Sequence, residues 1–454
     1  MIYRGRFCIV LGQDPSVTFG SGETSRPPAL PAGFLLGTAT AAHQVEGGNT
    51  RNDWARFEEM PGRVKGGERS GRASDHWNRV PEDIALMQRL GANAYRFSIE
   101  WSRLEPGEDR WDEAAWAHYG DELRRLRGGG ITPMVTLLHF TLPLWLADRG
   151  GVTAPEFPER FARFAAEAAR RFGSLVDLWC TINEPNVQMI AGYIEGAWPP
   201  GKRDFADAGR AYAGLVRAHA AAAAALRAGA PGAKIGVAIN LVVIEPASRW
   251  SLLDWIAARL AARAYNWAFY DSIQSGRVRL SAPGLPWLDE PLPGLAGSAD
   301  FFGLNYYTRM RIRFAPRSPG MIEPRPGPGP RSDLDWEIYP EGLLRMARAA
   351  WSRYGLPIYV TENGIADAAG TRRADFVQSH LYAVARAAQE GVPLRGYFFW
   401  SLIDNFEWAE GFAPRFGLYR VDYATFARAP APGSEVFEAW ARRLTPAPPL
   451  APRR

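Results

Sequence analysis

The sequence contains very little cysteine and very little lysine. Two cysteines, Cys8 and Cys180, occur among 454 residues, which excludes a fold held together by disulfides. Cys180 lies in a strongly apolar segment, so we expect a buried free thiol and a reducing, cytoplasmic location. Only Lys65, Lys202 and Lys234 are lysines, so arginine supplies nearly all of the 53 basic residues behind the net charge of +5.

Long apolar runs and basic clusters are also lacking. No stretch approaches the roughly 18 apolar residues that a membrane-spanning helix needs. The arginines are mixed with acidic residues along predicted helices, which does not indicate a nucleic-acid-binding face. We therefore expect neither a membrane nor a nucleic acid as partner. Residues 1–30 hold one short apolar stretch among Ser, Gly and Pro, which predicts a loosely ordered extension rather than a signal peptide.

Short apolar or β-branched segments recur along the chain, separated by longer helical patterns. The eight predicted strands span residues 33–40, 93–101, 132–140, 176–182, 234–243, 300–308, 357–364 and 396–404. Near-continuous apolar strands are typical of parallel sheets buried on both faces. Eight β–α repeats favour an α/β fold, a single (β/α)8 TIM barrel over residues 31–445, with a short tail at 446–454. A doubly wound open sheet is the alternative, but no GxGxxG follows the first strand.

Polar or aromatic side chains stand near the C-terminal ends of most predicted strands. They are Gln44, Arg96, Glu100, His139, Asn183, Glu184, Asn305, Tyr307, Glu362 and Trp400. Any one of them could be a polar group satisfied within a core. Barrel enzymes, however, build their active sites at this end of the strands, so the series predicts a site at the barrel mouth.

Two glutamates, Glu184 in TINEP and Glu362 in VTENG, each end an apolar run beside an asparagine. Burying a carboxylate is costly unless it is paired or hydrogen-bonded. Glycoside hydrolysis gives a reason for two of them, because one carboxyl protonates the leaving oxygen while the second attacks or activates water. Arg96 is the candidate to keep one glutamate ionised. Two ion-paired structural braces are the alternative interpretation.

Aromatic residues near the strand ends suit a sugar, whose C–H faces pack on rings. The tryptophans concerned are Trp54, Trp145, Trp198, Trp336, Trp400 and Trp408. Glu407 adjoins Trp408 in the run DNFEWAEGF, where a hydroxyl could be read. The six histidines show no ligand spacing, and HExxH, paired CxxC, GxSxG and P-loop motifs are lacking. We therefore expect no metal and no cofactor.

These motifs resemble those of glycoside hydrolase family 1, the family of retaining β-glucosidases and β-galactosidases. The similarity runs from about Phe34 to Trp440 and includes FLLGTATAAHQVEGG, NAYRFSIEWSRLEP, TLLHFTLPLWL, TINEPN, DFFGLNYYT, YVTENG and FFWSLIDNFEWAEGFAPRFGLYRVDY. It implies a metal-independent exo-acting β-glucosidase, with β-galactosidase or β-fucosidase activity as well. The substrate would be a small β-glycoside or oligosaccharide. Hydrolysis would proceed by double displacement, and a sugar acceptor could replace water.

The resemblance also implies a role for each matching residue. Glu184 would be the general acid/base and Glu362 the nucleophile, with their carboxyl groups about 5 Å apart. Asn183 would bind the sugar 2-hydroxyl, while Arg96 and Tyr307 hold Glu362 with support from Asn305. The remaining sugar-binding residues would be Gln44, His139, Trp400, Glu407 and Trp408, with Trp400 as the platform. Pro185 is expected to restrict Glu184 to extended backbone.

Three features depart from the family pattern. His43 replaces a tyrosine, and Phe140 replaces a tryptophan whose indole N–H often contacts the sugar, so the sugar preference stays open. The segment 309–333, rich in Pro and Arg, matches nothing in the pattern and would lie where the aglycone enters.

Three other activities remain open. The 6-phospho-β-glycosidase branch has a serine where this chain has Glu407. It also has a lysine further along, at a position that Ala413 and Arg415 flank in this chain. Because a carboxylate repels phosphate, we predict an unphosphorylated sugar. A non-catalytic sugar-binding protein usually loses one of the two glutamates, and both are present. An inverting hydrolase would hold its carboxyl groups about 9 Å apart.

Overall fold

Eight parallel strands close into a barrel in the computed structural model, which describes residues 28–444. The strands of the described chain are β1 (Leu35–Ala39), β2 (Ala94–Ser98), β3 (Thr132–Leu138), β4 (Leu178–Asn183), β5 (Lys234–Pro246), β6 (Arg277–Leu280), β7 (Leu288–Pro291), β8 (Phe301–Phe314), β9 (Ile322–Pro326), β10 (Ile358–Asn363), β11 (Leu394–Trp400), β12 (Tyr419–Val421) and β13 (Arg428–Pro430). The barrel order is β1-β2-β3-β4-β5-β8-β10-β11, and β11 pairs with β1 to complete the ring. The predicted (β/α)8 barrel is confirmed, and the open doubly wound sheet is excluded.

All eight predicted strands are present, with ends shifted by a few residues. The main difference is length, because β5 and β8 run on past the predicted ends at 243 and 308. The predicted extension at 1–30 lies almost wholly outside the described residues, as do the tail at 446–454 and Cys8. Cys180 is buried on β4 as a free thiol, as predicted.

Helices surround the barrel and connect its strands. They are α1 (Ala42–Val45), α2 (Asp53–Glu58), α3 (His76–Leu90), α4 (Trp101–Leu104), α5 (Glu113–Gly128), α6 (Leu144–Ala147), α7 (Phe157–Phe172), α8 (Pro185–Met189), α9 (Phe205–Gly229), α10 (Leu252–Ala262), α11 (Ala268–Ser275), α12 (Pro340–Tyr354), α13 (Arg373–Gln389) and α14 (Ser434–Ala441). Local sequence sets their ends: the side chain of Asp112 accepts from the N–H of Ala115 at the start of α5, and α12 ends at a left-handed Gly355. Within residues 28–444, none of the helices has the length and apolarity needed to cross a membrane.

Side chains alternate along each strand between the barrel interior and the helix layer. On β2, Tyr95 and Phe97 belong to the large core that includes the helices, whereas Ala94 packs inside the barrel with Met134. Because residues two apart share a face, Arg96 lies on the interior side above this apolar floor. The interior positions nearest the strand ends therefore carry the polar residues of the mouth.

The segment predicted as an unmatched loop at 309–333 is largely a β-hairpin. Here β8 continues to Phe314 and pairs antiparallel with β9. At its base, the guanidinium of Arg309 donates to both carboxylate oxygens of buried Glu337, at 2.7 and 2.6 Å. The hairpin is therefore a fixed extension of the barrel on its mouth side.

Candidate active site

Glu184 lies at the junction of β4 and α8 and is almost completely buried. Its Oε1 accepts hydrogen bonds from the amides of Asn240, at 2.9 Å, and Asn305, at 2.8 Å. Both amides donate to the same oxygen, so Oε2 is the oxygen that can carry a proton. Burial, reinforced by the negative charge of Glu362, raises the pKa of Glu184 to about 8. Glu184 is therefore a carboxylic acid at neutral pH.

The backbone of Glu184 corrects one prediction. Pro185 does not hold it extended: Glu184 has φ 44° and ψ 57°, in the left-handed region. Its N–H donates to the carbonyl of Ala238 while its own carbonyl accepts from Gln188, so the chain turns from strand into helix at this residue. Two other mouth residues, Phe140 and Trp408, also have positive φ. Such backbone strain is concentrated at functional sites.

Glu362 lies on β10 with both carboxylate oxygens hydrogen-bonded. Arg96 donates to Oε1 at 2.5 Å and the Tyr307 hydroxyl donates to Oε2 at 2.8 Å. The Arg96 guanidinium is itself held by the hydroxyl of Thr136 and the carbonyl of Thr361. The ion pair is nearly inaccessible to water, since the side chains are 1% and 5% exposed. Glu362 is thus presented as an oriented carboxylate.

Asn183 and Asn305 connect the two glutamates. Asn183 Oδ1 accepts from Arg96 at 2.7 Å and from the Asn305 amide at 3.1 Å. The same Asn305 amide donates to Glu184, and Asn305 Oδ1 accepts from Thr361 at 2.6 Å. A continuous buried network therefore runs from Glu362 through Arg96, Asn183 and Asn305 to Glu184.

Polar atoms without protein partners mark one side of the mouth. With its oxygen already occupied, Asn183 donates its amide to His139 Nε2 at 3.1 Å, which leaves the proton on Nδ1. Burial and the charge of Arg96 hold the pKa of His139 well below its usual value, so the ring is neutral. Among described residues, nothing pairs with buried His139 Nδ1 or with buried Gln44 Oε1. A donor and an acceptor are thus available to a ligand.

Glu407 completes this polar side. Its Oε2 accepts from the Asn405 amide at 2.8 Å and from Gln44 Nε2 at 3.2 Å. Burial, opposed by the Asn405 hydrogen bond, raises the pKa of Glu407 to about 7. The carboxyl therefore titrates in the neutral pH range.

Aromatic rings form the walls of the site. The indole of Trp400 stacks on the His139 ring at 5.9 Å, and Trp336 packs against Tyr307. Trp408 lies in a cluster with Trp54, Phe57, Phe140 and Trp198. Trp145 is different: it packs on Trp101 in the main core and donates to the carbonyl of Glu105. The other five predicted tryptophans lie at or next to the site.

Two of the three departures from the family pattern lie beside Trp408. His43 stacks on Trp408 at 5.8 Å, and its ring nitrogens contact Glu58 at 2.6 Å and Asn52 at 3.0 Å. Phe140 meets Trp408 edge to face at 5.4 Å and provides no hydrogen-bond donor. The substitutions therefore keep the aromatic packing and change the polar groups behind it.

Asn240 on β5 is the site residue that our sequence reasoning missed. It donates to Glu184 Oε1 and accepts from the Tyr265 hydroxyl at 3.1 Å. The signal was present, because Asn240 is the polar residue within the apolar run KIGVAINLVV and the predicted fifth strand had no other mouth residue. Glu100 was also predicted near the mouth. Its carboxylate accepts hydrogen bonds from the hydroxyls of Ser102 and Thr141 rather than from the network of Glu184 and Glu362.

We predict that Glu184→Gln stabilises the protein at pH 8. The pKa of Glu184 is about 8 in the folded chain and about 4.5 as a free side chain. Between these values the folded state keeps a proton that the unfolded chain releases, so wild-type stability falls as pH rises. Urea unfolding at pH 5 and pH 8 should show this fall, and the glutamine variant should lack that part of it.

The exposed Glu59→Gln serves as the matched control and should follow the wild type at both pH values. If wild type and Glu184→Gln changed in parallel between pH 5 and pH 8, the raised pKa of Glu184 would be wrong.

A barrel mouth with two carboxyl groups in contrasting environments, aromatic walls and unpartnered polar atoms is the arrangement of glycoside hydrolases. Among residues 28–444, no group of three or more His, Cys, Asp or Glu side chains is placed to hold a metal ion.

Comparisons with known proteins identify the family: the chain belongs to glycosyl hydrolase family 1, whose model matches residues 27–439. The chain is 38% identical to beta-glucosidase A of Thermotoga maritima over 88% of this chain and 94% of that protein. It is 32% identical to a beta-galactosidase of Sulfolobus acidocaldarius over 87% and 92%. The solved beta-glycosidase from Pyrococcus horikoshii is 40% identical with a TM-score of 0.85, covering 92% and 96%. The protein is therefore a family 1 glycoside hydrolase and a β-glycosidase.

Proposed function

We propose that the protein is a retaining exo-β-glycosidase, with Glu362 as nucleophile and Glu184 as general acid/base. The observation that carries this assignment is the contrast between the two glutamates. Glu362 forms an ion pair with Arg96, whereas burial raises the pKa of Glu184 to about 8. A nucleophile must be ionised and an acid must be protonated at the same pH; the Arg96 ion pair supports the first role for Glu362, and the raised pKa supports the second for Glu184.

The reaction follows from these states. The Glu362 carboxylate attacks the anomeric carbon while Glu184 gives its proton to the leaving oxygen, so the aglycone departs as an alcohol. Glu184, now ionised, removes a proton from water, and that water releases the sugar from the Glu362 ester. Two inversions give net retention. A sugar hydroxyl in place of water gives transglycosylation.

The sugar would be held by the polar side of the mouth. His139 Nδ1 and Gln44 Oε1 offer a donor and an acceptor, and Glu407 Oε1 accepts no hydrogen bond from the part of the chain that the structure describes. Asn183 would meet the 2-hydroxyl, and Trp400 and Trp408 would pack on the ring. Relatives named for glucosidase and galactosidase activity favour both sugars as substrates. From the cysteine usage we propose a cytoplasmic location.

A mechanism-based inactivator tests the assignment. A 2-deoxy-2-fluoro-β-glucoside with an activated leaving group forms a glycosyl ester that hydrolyses slowly. We expect one adduct per chain, on a peptide that contains Glu362, with loss of activity in step. An inverting enzyme or a non-catalytic binding protein gives no such adduct, so an unmodified protein at saturating reagent contradicts the proposal.

We predict that selection against 6-phosphoglycosides strengthens as pH rises. With its pKa near 7, Glu407 gains charge between pH 6 and pH 8 and repels phosphate more strongly. Arg415, the nearest candidate to grip phosphate in the sequence, is tied to Asp404 at 3.1 Å. The ratio of kcat/KM for a plain glucoside to that for its 6-phosphate should increase over this range.

Glu407→Gln is the matched control, because it keeps the size of the side chain and removes the titration. Its ratio should change with pH only through the phosphate itself. Faster turnover of the 6-phosphoglycoside by the wild type would instead favour the phospho-glycosidase branch.

A further inference from the structure

The outer side of α10 exposes a group of large apolar side chains. They are Trp250, Leu252, Leu253, Trp255, Ile256 and Leu260. Trp250 is 83% exposed and Leu252 is 73% exposed. We call residues 249–263 the α10 face. Contiguous apolar surface of this kind marks an interaction site more often than it occurs by chance on a soluble domain.

The inner side of α10 is firmly seated, so the exposure is not that of a loose segment. Buried Asp254 accepts from the N–H of Ser248 at 3.1 Å and from the N–H of Phe314 at 2.9 Å. Ala257 and Ala258 pack on Ile312 of the β8–β9 hairpin. The helix thus fixes its small and polar residues against the barrel and presents its large apolar residues outward.

The exposed charges of the α10 face all have one sign. Arg249, Arg259 and Arg263 are exposed, and none forms an ion pair with a residue that the structure describes. The acidic residue of the face, Asp254, is buried in the contacts above. The Arg249 guanidinium lies 4.7 Å from the centre of the Trp250 ring. Apolar and cationic groups therefore alternate on one surface.

A cleft beside the α10 face extends this cationic character. It has a volume of about 370 Å³ and is lined by Arg263, Arg279, Arg353, Asp271 and Trp287, among others. Asp271 is already paired with Arg353 at 2.7 Å. Arg279 lies 3.8 Å from Asp289, so Arg263 is the cation of the cleft that has no ion pair with a described residue, and it lies near the exposed indole of Trp287.

We propose that the α10 face docks the protein onto an anionic lipid surface. Leu, Ile and Trp side chains would enter the boundary of the acyl chains while the arginines meet lipid phosphates. A second copy of the chain fits less well, because a two-fold contact would place Arg249, Arg259 and Arg263 against an identical cationic surface. Our expectation of no membrane partner rested on the lack of a long apolar run, which addresses a spanning helix and not a surface contact.

The position of the α10 face along the chain indicates where a docked molecule would hold its barrel mouth. α10 follows β5, and β5 carries Asn240, which hydrogen-bonds to Glu184. The face therefore lies on the mouth side of the barrel. A docked molecule would hold its active-site entrance near the lipid surface.

Vesicle sedimentation tests the proposal with the full chain. We expect the protein to sediment with vesicles of equal parts phosphatidylcholine and phosphatidylglycerol at low salt. It should remain in solution with phosphatidylcholine alone, and high salt should release it. Sedimentation that is equal with both vesicles, or absent from both, overturns the proposal.

Two multiple variants of exposed residues separate the apolar from the cationic contribution to vesicle binding. The triple variant Trp250→Ser, Leu252→Ser, Ile256→Ser should bind anionic vesicles at least about tenfold more weakly, as apolar burial is lost. The variant Arg249→Gln, Arg259→Gln, Arg263→Gln should weaken binding by about the same factor and remove most of the salt dependence. Both should hydrolyse a nitrophenyl glycoside at the wild-type rate, which shows that they fold.

Trp351→Ser is the matched control, because Trp351 is a partly exposed tryptophan on α12, outside the face. It should bind vesicles like the wild type, and equal losses in this control would overturn the assignment to α10. Light scattering tests the alternative, in which a second copy of the chain occupies the α10 face. A dimer that the serine variant dissociates would assign the face to self-association and overturn lipid docking.

Discussion

Glu362→Ala should lower kcat/KM for aryl β-glucosides on the order of 10⁵-fold, because the oriented nucleophile is lost together with its effective concentration. The variant should still fold, since the cavity lies at the mouth and the remaining network retains Arg96, Asn183 and Asn305. Kinetics with a nitrophenyl glucoside, together with thermal unfolding, measure both effects.

Chemical rescue with azide tests whether the activity lost in Glu362→Ala is that of the nucleophile. Azide can occupy the space left by the side chain and attack the anomeric carbon directly. One inversion then gives an α-glycosyl azide, and activity should rise with azide concentration. If the alanine variant kept activity within about tenfold of the wild type, Glu362 would not be the nucleophile.

Glu184→Ala should show a loss that depends on the leaving group. Protonation of the leaving oxygen contributes about 10²- to 10⁴-fold, so an alkyl glucoside should lose activity by about that factor. Dinitrophenolate leaves without needing a proton. With a dinitrophenyl glucoside, formation of the glycosyl ester on Glu362 should therefore be nearly unchanged. The wild-type fall in kcat/KM around pH 8, where Glu184 ionises, should be missing from the variant.

The same rescue distinguishes the two glutamates. With Glu184→Ala, azide attacks the ester on Glu362, so two inversions give a β-glycosyl azide. The α product from one variant and the β product from the other would establish both roles. A uniform loss with all leaving groups would contradict the role of Glu184 as the acid.

The fold was predictable because burial on both faces leaves a direct pattern in the sequence. Eight apolar strands separated by helices allow few arrangements, and the structure follows the predicted order. Most of the mouth residues were predictable for a related reason, since a polar side chain in an apolar strand needs a partner or a function. The strand ends were less predictable, because β5 and β8 are extended by tertiary contacts with α10 and β9.

Other features depend on contacts that no local pattern records. The left-handed backbone at Glu184 follows from its bond to Ala238 and from the immediate start of α8. Asn240 is recognisable as a partner of Glu184 only once β5 lies beside β4. The seating of Trp145 against Trp101, away from the mouth, also follows from packing across helices.

The hydrogen-bonding groups that join or hold the two glutamates come from five barrel strands. Arg96 lies on β2, Asn183 on β4, Asn240 on β5, Asn305 on β8 and Glu362 on β10. Separation of these strands would break the hydrogen bonds that hold the acid and the nucleophile in place. Catalytic activity therefore reports whether the barrel unfolds as one cooperative unit. As denaturant is added, activity should be lost in the same transition in which the barrel unfolds, and no folded but inactive state should precede it.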